Sequence, residues 1–252
     1  MTVLHHRVEG TGPVVLLLHA GVADLRMWET QVAELSTAHT VVRCDLRGFG
    51  GSTLAAGSSY SDAEDVLALL DHLGVTRFSL VAASYGGHVG LQVATAVPER
   101  VESLVLLAPA ADLAEPDEPL RALWAEEGRL VEAGDLDAAT ELNVQSWLGP
   151  EADDAARGLV RRMQRQAMVQ QVAAGDVDDR ELPVRPERIT MPTTVIVGAL
   201  DFGFFRTTAR ELAQQLARAR LVELPWAGHL PSLERPAETT RLIMEALPTV
   251  AR

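Results

Sequence analysis

The chain has 252 residues, 47% of them hydrophobic, which suits one large α/β domain or two small ones and excludes a disordered chain. Aromatic residues are only 4%, so Ala, Val and Leu must build most of the core. The formal net charge is −13 and all 22 basic residues are arginine, a balance that repels nucleic-acid phosphates and anionic membrane surfaces.

In chain order, Met1 to Gly10 lacks a basic region followed by an apolar stretch, so no signal peptide is expected. No apolar run approaches the ~20 residues of a membrane span, and the chain reads as a soluble, cytoplasmic protein. His5 and His6 fall in a first strand. Val14 to Leu18 is a continuous apolar strand, and Asp24 to Ala38 reads as a helix with Leu25, Trp28, Val32 and Leu35 on one side. Thr40 to Cys44 is the next strand. Cys44 is the single cysteine, cannot form an internal disulfide, and reads as a small buried hydrophobe. A helix over Asp62 to Leu73 carries Val66, Leu69, Leu70 and Leu73 at helical spacing. Phe78 to Ala82 is a strand, Tyr85 to Val97 a helix, and Val101 to Leu107 a strand again.

The alternation then stops. From Asp112 to Arg188 the spacing is helical without strands. Leu120, Leu123, Trp124 and Leu130 make one stripe, Leu142, Trp147 and Leu148 a second, and Leu159, Met163, Ala167 and Met168 a third. Asp112, Glu115, Asp117 and Glu118 at its entrance suit a solvated loop and helix N-termini. Strands return at Thr193 to Val197 and Arg220 to Leu224, with helices near Thr207 to Ala217 and Ala237 to Leu247. Short apolar strands alternating with helices imply a mostly parallel sheet covered on both faces. The organisation expected is a core of 1–111 and 189–252 with a helical cap, 112–188, over the carboxyl ends of the strands, where such folds bind ligands.

Ser84 lies at the junction of a strand and a helix, in Ala82-Ala83-Ser84-Tyr85-Gly86-Gly87. Such a turn holds a serine hydroxyl out above the sheet and needs small neighbours, because strand and helix nearly touch. A serine there also suits a simple helix N-cap. Other segments decide between the two. Leu16-Leu17-Leu18-His19-Ala20-Gly21, Asp45-Leu46-Arg47-Gly48-Phe49-Gly50-Gly51-Ser52, Gly198-Ala199-Leu200-Asp201 and Ala227-Gly228-His229 each follow a strand. Together with the serine turn they resemble the α/β-hydrolase fold superfamily, in the style of its small bacterial esterases, lactonases and cofactor-free haloperoxidase-like proteins. That group carries a helical cap between its sixth and seventh strands. The chain departs from the pattern at Ala82 and Ala20, where the family has glycine.

The resemblance implies a triad of Ser84, His229 and Asp201, in the family's order Ser, Asp, His. Asp112 is the alternative acid, after the preceding strand. Gly21 and Tyr85 would supply the backbone N–H groups of an oxyanion hole, and His19 would tie down neighbouring backbone. Asp45 and Arg47 would brace a turn. His39 and His72 fall at helix ends on expected surfaces, and His88 within a helix. Trp28, Trp124, Trp147, Met168, Phe202 and Leu230 are the residues expected to touch substrate. No cofactor is implied, and the histidines lack the spacing of a metal set. A serine nucleophile argues against dehalogenase and epoxide hydrolase chemistry, which uses aspartate. What remains is hydrolysis of a small-molecule ester or lactone, with a thioester or a carbon–carbon bond as alternatives. A non-catalytic ligand-binding member of the fold is the competing class. Arg157, Arg161, Arg162 and Arg165 either form a solvated helix face or face the pocket and bind a carboxylate, as would suit an enol-lactonase of the 3-oxoadipate type.

Overall fold

Leu16 and Leu18 of β2 (Val14–Leu18) pack on one face of a sheet with Val42, Leu80 and Leu104. Val15 and Leu17 pack on the other with Val81, Val105 and Ile196. A strand that is apolar at every position needs cover on both faces, because successive side chains point opposite ways. The computed structural model, which describes residues 3–249, supplies it from helices on each side. Val32 and Leu35 of α1 (Glu29–Leu35) join Leu242 and Ile243 of α9 (Pro236–Ala246), which follows the one-turn α8 (Pro231–Glu234), on one face. α2 (Asp62–His72), α3 (Tyr85–Ala96) and α7 (Gly203–Gln215) contribute Val66, Val89 and Leu212 to the other.

The sheet has seven strands in the order β1 (His6–Glu9), β3 (Thr40–Cys44), β2, β5 (Phe78–Ala83), β6 (Val101–Leu107), β8 (Thr193–Gly198), β9 (Ala219–Leu224). β1 runs antiparallel to β3 and every other pair is parallel. The register aligns the carboxyl ends, with Leu18 opposite Ala82, Ala83 opposite Leu107 and Gly198 opposite Leu224. From β2 the chain goes to β3 on one side and then to β5 on the other. That reversal leaves a crevice above the strand ends, the usual ligand position in such sheets.

Between β6 and β8 lie α4 (Glu118–Glu132), α5 (Leu136–Trp147) and α6 (Asp154–Ala174). Their starts are set by Asp117, Asp135 and Asp153, whose carboxylates accept from the N–H groups of Leu120, Ala138 and Ala156. Asp117 also accepts from Gly203 N–H at 2.6 Å, which ties the entrance of this segment to the start of α7.

Three sequence expectations need correction. The segment between β6 and β8 is not free of strand, because β7 (Asp178–Asp179) pairs in parallel with β4 (Ser59–Tyr60). Two residues are too few to show a period, and the pairing is fixed by long-range bonds such as Ser59 Oγ to Asp178 at 2.8 Å. The predicted helix from Asp24 to Ala38 is instead a 3₁₀ turn, Leu25–Trp28, followed by α1. Finally, His39 is buried, with Nδ1 3.3 Å from the Leu35 carbonyl. Among the described residues, no helix is long and apolar enough to cross a membrane.

Candidate active site

The turn after β5 is strained in the way its sequence requires. Ser84 has φ 51° and ψ −115°, an uncommon conformation for a residue with a side chain. It is held from both sides. Its N–H donates to Leu107 O at 2.9 Å, and Gly86 N–H donates to His19 O at 3.1 Å. A Cβ on Gly86 would sit 2.4 Å from that same His19 oxygen, so only glycine lets β2 and α3 come this close. Ala82 fits because α3 gives way opposite it. A Cβ built on Gly90 would lie 3.1 Å from the Ala82 methyl, which fills the space a larger helix residue would take.

The loops after β8 and β9 bring the other polar groups to this serine. Ser84 Oγ lies 2.7 Å from His229 Nε2, and His229 Nδ1 lies 2.8 Å from Asp201 Oδ2. All three residues are buried. Asp201 also accepts from the N–H of Phe202 at 2.7 Å, which orients its carboxylate. Asp112, the alternative acid, is exposed and lies on a separate depression with Leu113 and Leu182. The imidazole of His229 is packed between aromatic rings, with Phe205 at 4.2 Å and Trp147 at 4.7 Å between centroids.

Behind the serine, His19 is fully buried. Leu46 N–H donates to its Nε2 at 2.9 Å, so Nδ1 carries the proton and donates to Ala20 O at 2.8 Å. Burial holds its pKa below the ordinary histidine value, in keeping with a neutral ring that braces two turns. Ala20 does not need the left-handed conformation that favours glycine, since among the described non-glycine residues only Ser84 and Ala108 have positive φ. Asp45 accepts from Leu25 N–H at 2.8 Å and Gly51 N–H at 2.7 Å, and Arg47 makes a two-point contact with Asp65. Burial pushes the Cys44 thiol well above its usual range and leaves it a poor nucleophile.

A cavity of about 590 Å³ opens over Ser84, between the strand ends and the three helices above. Gly21, Tyr85 and His229 line its floor, and Trp124 and Trp147 line it from the helical segment. Three expected substrate contacts are corrected. Trp28 is fully buried in the core, and Leu230 packs there too, because both belong to the apolar cluster under α1 and α9. Met168 turns toward α5, its sulfur accepting from Thr140 Oγ1 at 3.5 Å. Phe202 packs edge-on against Trp147 and, with Asp201 and His229, lines a depression beside the cavity. The arginines of α6 do not reach the cavity either. Arg161 pairs with Glu141 at 2.8 Å, Arg165 with Asp137 at 2.6 Å, Arg157 donates to Gly149 O at 2.9 Å, and Arg162 is exposed.

Sequence reasoning missed Phe205, Glu127, Asn143, Gln164 and Asp179, which all line the cavity. The polar positions of α4, α5 and α6 read as ordinary solvated faces, and only the packing of the three helices turns some inward. It also missed Glu234. This buried carboxylate accepts from Gly228 N–H at 2.8 Å and Leu230 N–H at 3.1 Å, and bonds the Gly149 N–H. Burial raises its pKa above the ordinary glutamate value.

Residues 13–236 match the family model of the alpha/beta hydrolase fold, and the chain belongs to that family of enzymes. It is 26% identical to 3-oxoadipate enol-lactonase 2 of Acinetobacter baylyi, over 89% of this chain and 84% of that one. It is 31% identical to a putative carbamate hydrolase of Variovorax paradoxus, over 98% and 97%. The crystal structure of the enol-lactonase from Burkholderia xenovorans superposes with a TM-score of 0.80 at 27% identity, covering 96% of this chain and 95% of that one.

Proposed function

We propose that this protein is a serine hydrolase that cleaves a carboxylic ester or lactone through an acyl-enzyme on Ser84. The observation that carries the reading is the pair of contacts from Ser84 Oγ to His229 Nε2, 2.7 Å, and from His229 Nδ1 to Asp201 Oδ2, 2.8 Å. A serine hydroxyl is a weak nucleophile until a base takes its proton. In the proposed reaction His229 takes that proton as Oγ bonds to the substrate's carbonyl carbon. Asp201 fixes the imidazole tautomer and stabilises the imidazolium. The carbonyl oxygen becomes negative in the tetrahedral intermediate and accepts from the backbone N–H groups of Gly21 and Tyr85. Tyr85 opens α3, so its N–H is one of the donors a helix start leaves unsatisfied. Removing one such donor typically costs ~10²–10³ in rate. His229 then protonates the leaving alcohol, and water enters by the same route in reverse to free the acid and Ser84.

The enol-lactonase relatives support an ester or lactone carbonyl as the target. The steps call on no cofactor and suit a cytoplasmic enzyme acting on small molecules. We expect a core of 1–111 and 189–252 to carry the reacting groups and 112–188 to form the cap that selects substrate. The test is turnover of 4-nitrophenyl acetate and butyrate, together with labelling by a fluorophosphonate. Turnover and labelling that both vanish in Ser84→Ala support the reading. Unchanged activity in Ser84→Ala would overturn it, and a wild-type protein that neither reacts nor turns over would point to a ligand-binding member of the fold.

A further inference from the structure

The chain has four Trp, two Tyr and five Phe, and six of these eleven line the cavity over Ser84. They are Phe49, Tyr60, Tyr85, Trp124, Trp147 and Phe205. Two more stand behind them: Phe202 lies edge-on to Trp147 at 5.2 Å between centroids, and Phe204 edge-on to Phe205 at 4.9 Å. Trp28 and Phe78 are fully buried in the core, and Trp226 lies under the Arg235 guanidinium. The rest of the core is mainly Leu, Val and Ala, side chains that would serve as well around an alkyl group. The rings are concentrated at the cavity.

The strand order sets rings on both sides of Ser84. Phe49 follows β3 and Phe205 lies in α7 after β8, and β3 and β8 stand on opposite sides of β5. Phe49 and Tyr85 meet at 6.4 Å between centroids, and Trp147 and Phe205 at 5.8 Å. Both separations fall within the range of about 4.5–7 Å at which aromatic pairs attract. Trp124 differs. Leu120 and Leu123 of the same helix are buried in the core, whereas Trp124 lines the cavity and is 43% exposed. Among the described residues its indole makes no ring contact and no hydrogen bond. Glu127, one turn further on, lines the same cavity, so this face of α4 turns toward it.

We infer that the cavity takes an ester or lactone carrying an aryl group, and that the aryl ring docks against Trp124. The inference rests on the esterase reading above and names its substrate class. An aromatic ring has a negative face and a positive edge, so two rings attract beyond the area they bury. A saturated ring of the same size lacks that charge pattern. It is nevertheless the more hydrophobic of the two, and burial alone favours it. The two effects oppose each other, so the order of an aryl and a cyclohexyl substrate separates ring recognition from simple greasiness.

The experiment uses two matched pairs: methyl 3-phenylpropanoate with methyl 3-cyclohexylpropanoate, and 2-phenylethyl acetate with 2-cyclohexylethyl acetate. The first pair carries its ring on the acyl side and the second on the alcohol side. Ester cleavage is followed by base uptake in a pH-stat, and the same esters are titrated calorimetrically into Ser84→Ala. In at least one pair, kcat/KM and affinity for Ser84→Ala should favour the aryl member by about 2- to 10-fold. Trp124→Leu, at an exposed position, should bring that ratio to one or below, and Trp124→Phe should keep it above one. Equal or better use of the cyclohexyl member in both pairs would overturn the proposal. A ratio that Trp124→Leu leaves unchanged would do the same. If the wild type cleaves none of the four, the esterase reading falls, while the binding order on Ser84→Ala still decides the aryl site.

Discussion

Glu234 grips the backbone on both sides of His229, accepting from the N–H of Gly228 at 2.8 Å and of Leu230 at 3.1 Å. The same carboxylate bonds the N–H of Gly149, just past the end of α5. A Cβ on Gly149 would lie 2.6 Å from Gly228 N, so the two loops touch backbone to backbone around this one side chain. The position of the imidazole over Ser84 therefore depends on a group that meets neither Ser84 nor substrate.

Removing that carboxylate should loosen the imidazole more than it weakens substrate binding. In Glu234→Ala, buried N–H groups lose their acceptor, and each hydrogen bond to a charged group is worth about 1.5–3 kcal/mol. We expect a loss of stability of about 2–4 kcal/mol in urea unfolding and a fall in kcat of at least about tenfold, with KM for 4-nitrophenyl butyrate little changed. Glu234→Gln keeps one accepting oxygen and should recover part of both. Wild-type kcat in Glu234→Ala would show that the His229 loop holds its place without it.

How far the sequence revealed this site follows from the range of the interactions involved. The Ser84 turn, the His19 turn and the loops carrying Asp201 and His229 were legible because each is a local rule applied at the end of an apolar strand: small residues where strand meets helix, a polar residue just past a strand end. Glu234 follows His229 by five residues, yet nothing in Leu-Pro-Ser-Leu-Glu signals that its carboxylate turns back on its own loop. Trp28 and Leu230 were misassigned because an apolar side chain near a site has the same sequence signature whether it faces the cavity or the core. The inward-facing set of Glu127, Asn143 and Gln164 was illegible for a different reason. It comes from three helices, and polar residues on amphipathic helices are normally solvated.

At Ala82 the chain carries a methyl group where the family has glycine, and the structure locates the compensation for it in Gly90. Gly90→Ala alone gains helix propensity of up to about 1 kcal/mol but sets two methyl carbons 3.1 Å apart and crowds Leu80 at 3.3 Å. We expect a net loss of about 1–2 kcal/mol. Ala82→Gly on that background removes the first clash and should restore about half of it, a coupling that a double-mutant cycle reads directly. Strict additivity of the two changes would mean the methyl groups do not compete for this space.

Asp62 gives a prediction about pH. Its carboxylate accepts from Arg47 N–H at 3.0 Å and from the Tyr85 hydroxyl at 2.8 Å, yet burial outweighs both and pushes its pKa up to about 6. An unfolded aspartate titrates near 3.9, so between about pH 4 and 6 the folded state holds the proton more tightly than the unfolded state does. Stability contributed by this group is therefore fully present below about pH 4 and is lost as pH rises through about 6, amounting to about 3 kcal/mol by neutral pH. Asp62→Asn cannot ionise, and its amide can still accept from Arg47 N–H while donating to the Tyr85 oxygen. The difference in Tm between variant and wild type should thus move in the variant's favour from pH 4 to pH 7. A difference that stays flat across that range would mean Asp62 titrates as it does in the unfolded chain, and that burial is not what governs it.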